Sequence, residues 1–326
     1  MSTGPTLEQI RAVAEKLKGK TRVTPVIELP LRELDPQWPN DATASFKLEL
    51  LQVTGTFKAR GALNVMLGFT PEQRARGVTA VSAGNHAVAV AYAAKALGMS
   101  ARVVMIKTAN AMRVALTRGF GADIEFAEDG KTAFERVREI EASEGRCFVH
   151  PFEGPGTALG TATVGLEWFE QAGALDAVVV ACGGGGLLAG VAAAFKQLSP
   201  ATRVYGVEPE GADSMNQSFE TGGTMTLPGI KTIADSLGAP MSAPYSYGLC
   251  KQYVDRMVRV SDAQIREAMR LVFSGLKLVA EPAAAAALAG VLGPLREEFA
   301  GKKRIGILVC GSNIDAQKFH ELLTAT

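Results

Sequence analysis

From residue 77 to residue 149 the chain alternates short β-branched runs with helical stretches, and this alternation constrains the fold more than any other feature. Val78–Val81 is a short apolar run, 85–97 a helical stretch closed by Gly98, and Ala101–Ile106 a second strand. A helical pattern ending at Gly119, a strand at 122–127, a helix at 132–141 and a strand at 147–149 follow. Parallel strands need a crossover between them, and a helix is the usual one, so a βαβ series predicts a parallel sheet with helices on its faces. A second series begins after His150-Pro-Phe152. Its elements are a helix at 165–171, a strand at Ala177–Ala181, a helix at 187–198 and a strand at 203–207. Residues 211–247, rich in Gly, Pro and Ser, read as loop. A helix over 262–278, an Ala-rich helix from Pro282, a strand at 304–309 and a helix at 315–323 complete the chain. At the other end, Thr6 and Gln9 form a capping-box pattern ahead of a first helix. No repeat of fixed period is present.

Composition excludes several functions. A chain of 326 residues suits one large or two ordinary domains, and a net charge of +1 without charged blocks points to neither nucleic acid nor an anionic membrane. Four scattered cysteines and three histidines argue against a disulfide framework or a zinc site and fit a reducing, cytoplasmic setting. The N-terminus lacks the basic flank and apolar run of a signal peptide. Residues 177–195 carry no charge and are long enough to span a bilayer, but the glycines in their middle favour strand, turn and helix.

Two stretches carry chemistry. The alternating, buried-looking run 44–50 reads as a strand, Gly55 as a turn, and the pattern Ala62, Leu63, Val65, Met66, Leu67 as a helix whose first turn holds Lys58 beside Phe57. An amine there faces the positive end of the helix dipole, which disfavours its charged form; a neutral amine condenses with aldehydes. The second stretch is Cys182-Gly-Gly-Gly-Gly186-Leu187, between a strand and a helix. Successive glycines let backbone N–H groups crowd an anion at the helix end, and phosphate is the expected ligand. Two other readings stay open at this point. One is a tight turn with close helix packing. The other is a dinucleotide site, since Gly184, Gly186 and Ala189 satisfy G-x-G-x-x-A and Glu208 follows the next strand, which would make the chain a nicotinamide-dependent oxidoreductase.

Further motifs accompany these in a fixed order. Ser45-Phe-Lys-Leu-Glu49 and Thr54-Gly-Thr-Phe-Lys-Ala-Arg-Gly-Ala62 resemble the lysine motif of fold-type-II pyridoxal-phosphate enzymes, in particular the threonine and serine dehydratases and serine racemases. Ser82-Ala83-Gly84-Asn85-His86 looks like their substrate-carboxylate loop, and Gly183, Gly184, Gly185, Gly186 and Leu187 like their phosphate cup. Glu208-Pro-Glu-Gly-Ala-Asp213, Thr232-Ile-Ala-Asp235, Glu281-Pro282 and Cys310-Gly-Ser-Asn-Ile-Asp315 also match, so the resemblance covers the chain from about Thr24 onward. It implies a two-domain, tryptophan-synthase-β-like fold, with residues 1–68 and 152–326 as a large cofactor-binding domain and 69–151 as a small mobile one. It also implies pyridoxal 5'-phosphate held by Lys58 as a Schiff base, with Lys58 as the base at the substrate Cα. Phe57 would pack beside the cofactor ring, Asn85 would reach the ring's hydroxyl oxygen, and Cys310 would stand near the pyridine nitrogen. A neutral thiol there makes the ring a weaker electron sink, which suits prompt loss of a β-hydroxyl over a long-lived carbanion.

The expected function is a dehydratase converting a 3-hydroxy amino acid to a 2-oxo acid and ammonia. L-threonine and L-serine are the default substrates; 3-phenylserine or 3-hydroxyaspartate, and serine racemisation, are the alternatives. A homodimer is expected, without a regulatory domain after Asp315. The chain departs from the family pattern in four places. Ala83 stands where the racemases carry a second serine, the acid/base on the face opposite the lysine. Ser214 stands where they have an acidic cation ligand, so Glu208 and the Ala212 carbonyl leave a divalent ion, a monovalent ion or none open. Thr161 replaces a glutamine and Ser236 a glycine, both near the cofactor or substrate mouth in the family.

Overall fold

The computed structural model describes residues 4–325; residues 1–3, read above for a leader, lie outside it. Its strands are β1 (Val26–Pro30), β2 (Thr43–Lys47), β3 (Val78–Val81), β4 (Ala101–Ile106), β5 (Asp123–Ala127), β6 (Cys147–Phe148), β7 (Ala177–Ala181), β8 (Arg203–Pro209), β9 (Arg256–Val260) and β10 (Arg304–Leu308). They form a six-stranded sheet, β1-β2-β10-β7-β8-β9, and a four-stranded sheet, β5-β4-β3-β6. All pairs are parallel except β1 with β2. This is the α/β architecture expected from the alternation. Central β7 is buried on both faces, which is why it reads as an unbroken run of Ala and Val.

Several elements differ from the sequence reading. The helix expected at 165–171 begins at Pro155 and runs to Ala172. Its first half is Gly- and Thr-rich because it packs closely: a Cβ at Gly160 would lie 2.6 Å from the Arg60 carbonyl, and one at Gly190 on the facing helix 2.2 Å from Thr161 Oγ1. The span 211–247 is not all loop, since Ser214–Thr221 is a helix and Pro244–Tyr253 begins within it. The helix over 262–278 stops at Leu271, passes through a π turn and ends at Lys277 in a left-handed conformation, φ 60°. Strands β1 and β9 have no counterpart in the sequence pattern; both lie at sheet edges, where β1 buries no residue fully and β9 only Val258 and Val260. The uncharged window 177–195 is strand β7, a glycine loop and the helix Gly186–Leu198, and no described helix is long and apolar enough to cross a membrane.

The four-stranded sheet draws all its strands from residues 78–148. Its core nevertheless includes Leu63 and Met66 of the helix Lys58–Leu67 and Val13 and Leu17 of the first helix. The lysine helix therefore bridges the two sheets. The loops after β2, β3, β7 and β10 gather at the C-terminal edges of their strands, where open α/β sheets place their ligands.

Candidate active site

Lys58 opens its helix after a turn at Gly55, where φ is +74° and a Cβ would lie 2.3 Å from Asn313 Oδ1. Only glycine fits that combination of conformation and approach. The turn is tied to the end of β10, with Phe57 N–H donating to the Cys310 carbonyl at 3.3 Å and Thr56 bridging Gly311. Beneath it, Lys47, Glu49, Arg60 and Glu167 form an ion cluster that fastens the lysine helix to β2 and to the helix Pro155–Ala172. Lys58 Nζ donates to the Pro151 carbonyl at 2.6 Å and lies 5.2 Å from the Phe57 ring centre. Burial lowers its pKa to about 8. The sequence pointed to the helix dipole as the cause; the structure shows removal from water as the main one.

After β7 the glycine loop enters the helix Gly186–Leu198, with Gly185 left-handed at φ 89°. A Cβ at Gly184 would fall 2.1 Å from the Phe152 ring, and one at Gly186 2.3 Å from the Phe152 carbonyl. The glycines therefore serve close packing and also line the cavity. Thr161, expected near the mouth, is buried beneath this loop and donates to the Gly186 carbonyl at 2.7 Å.

The third component is the loop after β3. Gly84 N–H donates to Ser82 Oγ at 3.1 Å, and Asn85 starts the helix Asn85–Ala96. Asn85 Nδ2 donates to Glu281 Oε1 at 2.7 Å and to Ser236 Oγ at 3.2 Å, while its Oδ1 accepts from Asn313 at 2.9 Å. His86 Nε2 donates to the Val149 carbonyl at 2.7 Å, which fixes the tautomer, and burial lowers its pKa to about 3. It is a neutral ring. Arg113 crosses from the small sheet to the large one, pairing with Asp235 at 2.5 Å and Glu281 at 3.3 Å.

These groups line one cavity of about 500 Å³ that holds Lys58, Gly183 to Leu187, Ser82 to His86 and Cys310 together. Residues 17–311 match the family described as pyridoxal-phosphate dependent enzyme. The chain belongs to that family. It is 56% identical to the phenylserine dehydratase of Ralstonia pickettii over 318 residues, 98% of this chain and 96% of that protein. It is 36% identical to the L-threo-3-hydroxyaspartate ammonia-lyase of Saccharomyces cerevisiae, covering 98% and 97% of the two chains. The solved structure of maize serine racemase superposes with a TM-score of 0.92 at 32% identity, covering 98% of this chain and 97% of that one. The fold is the fold-type-II arrangement, and the protein is a pyridoxal-phosphate-dependent ammonia-lyase.

Its residues fit the cofactor. A buried amine of lowered pKa stands beside a glycine loop at a helix N-terminus, the chemistry that an aldehyde and a phosphate require. Cys310 lines the same cavity, and burial holds its thiol well above the ordinary range, hence neutral. The dinucleotide reading is overturned by the family match, and Glu208 shows why the motif misled. Its carboxylate is buried and accepts from Met215 N–H, Asn216 N–H and Asn216 Nδ2 at 2.7–2.9 Å, capping the helix Ser214–Thr221 where a ribose-binding acid would be free. Ala212, its companion in the cation reading, is also buried, its N–H donating to the Pro209 carbonyl. Among the described residues no group of three or more His, Cys, Asp or Glu is placed to hold a metal.

Sequence reasoning did not single out Phe152, Arg113, Asp235 or Phe134 as site residues, and it quoted Glu281 without a role. The His150-Pro-Phe152 run after a strand was the available signal for Phe152. Arg113 and Phe134 sit on helices with nothing local to mark them.

Proposed function

We propose that the enzyme converts a 3-hydroxy amino acid whose β-carbon carries an aryl group to the 2-oxo acid and ammonia, with L-phenylserine its first substrate. The observation that carries the reading is the single cavity that joins Lys58, the glycine loop and the 82–86 loop. Identity to phenylserine dehydratase across nearly the whole chain supports the aryl side chain over the L-threonine and L-serine taken as default.

When bound, pyridoxal phosphate withdraws electrons from the substrate Cα. The glycine loop would hold the phosphate through backbone N–H groups, and Phe57 lies against the lysine. Lys58, its pKa lowered to about 8, accepts the Cα proton. The Ser82 hydroxyl and the loop amides take the substrate carboxylate; neutral His86 adds no charge to that contact. Departure of the β-hydroxyl with a proton leaves an enamine, which water converts to the 2-oxo acid and ammonia. Ala83 has no proton to return to the opposite face of Cα, which separates this reading from racemisation despite the likeness to maize serine racemase. The same reading takes the enzyme as a cytoplasmic homodimer, for which sedimentation at two protein concentrations is the measurement.

Assays of the holoenzyme with L-phenylserine, L-threonine, L-serine and 3-hydroxyaspartate test the proposal. Phenylpyruvate and ammonia in equal amounts from phenylserine are expected. Failure to release a 2-oxo acid from any of the four overturns it.

A further inference from the structure

The wall of the cavity contributed by the four-stranded sheet carries an apolar patch beside the polar Thr108 and Asn110. Val81, Val104, Ile106 and Ala109 line it, and Phe134 reaches it from the helix Gly130–Glu144. That helix buries Ala133, Val137 and Ile140 against its sheet. Phe134 lies off this face, remains 41% exposed and belongs to no core cluster. A lone exposed aromatic on a protein surface needs no explanation. One that lines the cavity of the reactive lysine, with no packing role in the helix that carries it, has a place open for an apolar group.

The charges around it point the same way. The Lys and Arg side chains lining the cavity are Lys58 and Arg113. Arg113 donates to both Asp235 oxygens, to Glu281 Oε2, to Ser236 Oγ and to the Asn313 carbonyl. Lys58 is the reactive amine. A second carboxylate on the substrate would find no uncommitted guanidinium or ammonium among these lining residues, whereas a ring would find Phe134.

We propose that Phe134, with Ile106 and Ala109, forms the subsite for the aryl group on the substrate's β-carbon and so determines side-chain specificity. The inference rests on the dehydratase reading above and names the residue that gives it its selectivity. A contact to the unreacting ring is present before and during the reaction, so its loss raises KM more than it lowers kcat.

The test uses the holoenzyme and its Phe134→Ala, Phe134→Leu and Phe134→Arg variants. Each is assayed with L-phenylserine, L-threonine and 3-hydroxyaspartate. Calorimetry with L-phenylalanine, which has no hydroxyl to lose, reports binding without turnover. In Phe134→Ala, KM for phenylserine and the dissociation constant of phenylalanine should rise about 20-fold, with threonine kinetics within about twofold. Phe134→Leu should recover part of that loss, and Phe134→Arg should move preference toward 3-hydroxyaspartate. Wild-type turnover of phenylserine together with an unchanged phenylserine-to-threonine ratio in Phe134→Ala would overturn the subsite and leave the dehydratase standing. A wild type inactive on every 3-hydroxy amino acid removes the dehydratase instead, while weakened phenylalanine binding in Phe134→Ala would still support the subsite.

Discussion

Two loops meet at Lys58, and they are built from different parts of the chain. The glycine loop after β7 presents main chain alone. It is backed by Phe152, Thr161 and Leu237, so closely that Cβ atoms at Gly183, Gly184 and Gly186 would lie 3.1, 2.1 and 2.3 Å from their nearest neighbours. The loop after β3 presents side chains, and it is held by long-range hydrogen bonds from Asn85 to Glu281 and from Asn313 to Asn85. On the proposed function, the contrast follows from what each loop would bind. A phosphate is the same in every turnover and is best met by amides fixed in place. A substrate varies, and side chains on a separate sheet can vary with it without disturbing the cofactor end.

The largest effect should come from the residue both loops face. Lys58→Ala should lower kcat about 10⁴-fold or more, since it loses the covalent anchor and the base together. Peptide mapping after borohydride reduction of the wild type should find the pyridoxyl group on Lys58, and finding it on another lysine sinks the assignment.

The comparison itself is tested by paired substitutions. Gly184→Ala places a methyl against the Phe152 ring and should weaken cofactor binding about 100-fold in a titration of the apoenzyme. Ser82→Ala should raise substrate KM about tenfold and leave cofactor affinity alone. If both variants change the same constant, the division of labour is wrong.

Next in size is a pH effect. Burial lowers the Lys58 pKa to about 8 from 10.5, so below pH 8 the folded chain holds an ammonium that cannot attack an aldehyde. Covalent uptake of cofactor by the apoenzyme, trapped with borohydride, should rise about tenfold per pH unit up to 8 and then level. Between pH 8 and 10.5 the unfolded chain keeps a proton at this position that the folded chain has lost. This group therefore makes the apoenzyme more stable as pH rises through that window. Urea titrations should show the slope in the wild type and its reduction in Lys58→Ala.

The smallest expected effect is on the substrate side. In deuterated water with L-serine, the wild type should form D-serine in traces at most, and Ala83→Ser should raise it to about 1–10% of product by supplying a proton on the second face. D-serine accumulating as fast as pyruvate in the wild type would show that racemisation does not need this residue.

Local signals accounted for every strand but the edge strands β1 and β9, and for the capping box at Thr6, the lysine turn and the glycine loop. Each depends on neighbours within a few residues: a period, a cap, or a glycine where φ must be positive. The close-packed helix from Pro155 was hidden because the small residues that let two helices touch are also those that mark loops. The helix Ser214–Thr221 and the start of the helix Pro244–Tyr253 were hidden by the Gly, Pro and Ser around them.

By itself, then, the sequence determined the α/β alternation, the place of Lys58 at the head of a helix, and the order of motifs that marks the family. The tertiary structure alone decided that burial lowers the Lys58 pKa, that Glu208 caps a helix, and that Arg113 reaches Glu281 and Asp235 across the cleft. It also decided that Phe134, still partly exposed, lines the cavity. The reason is physical. Burial and long-range charge pairing are properties of groups brought together from far along the chain, and no local pattern records which groups will meet.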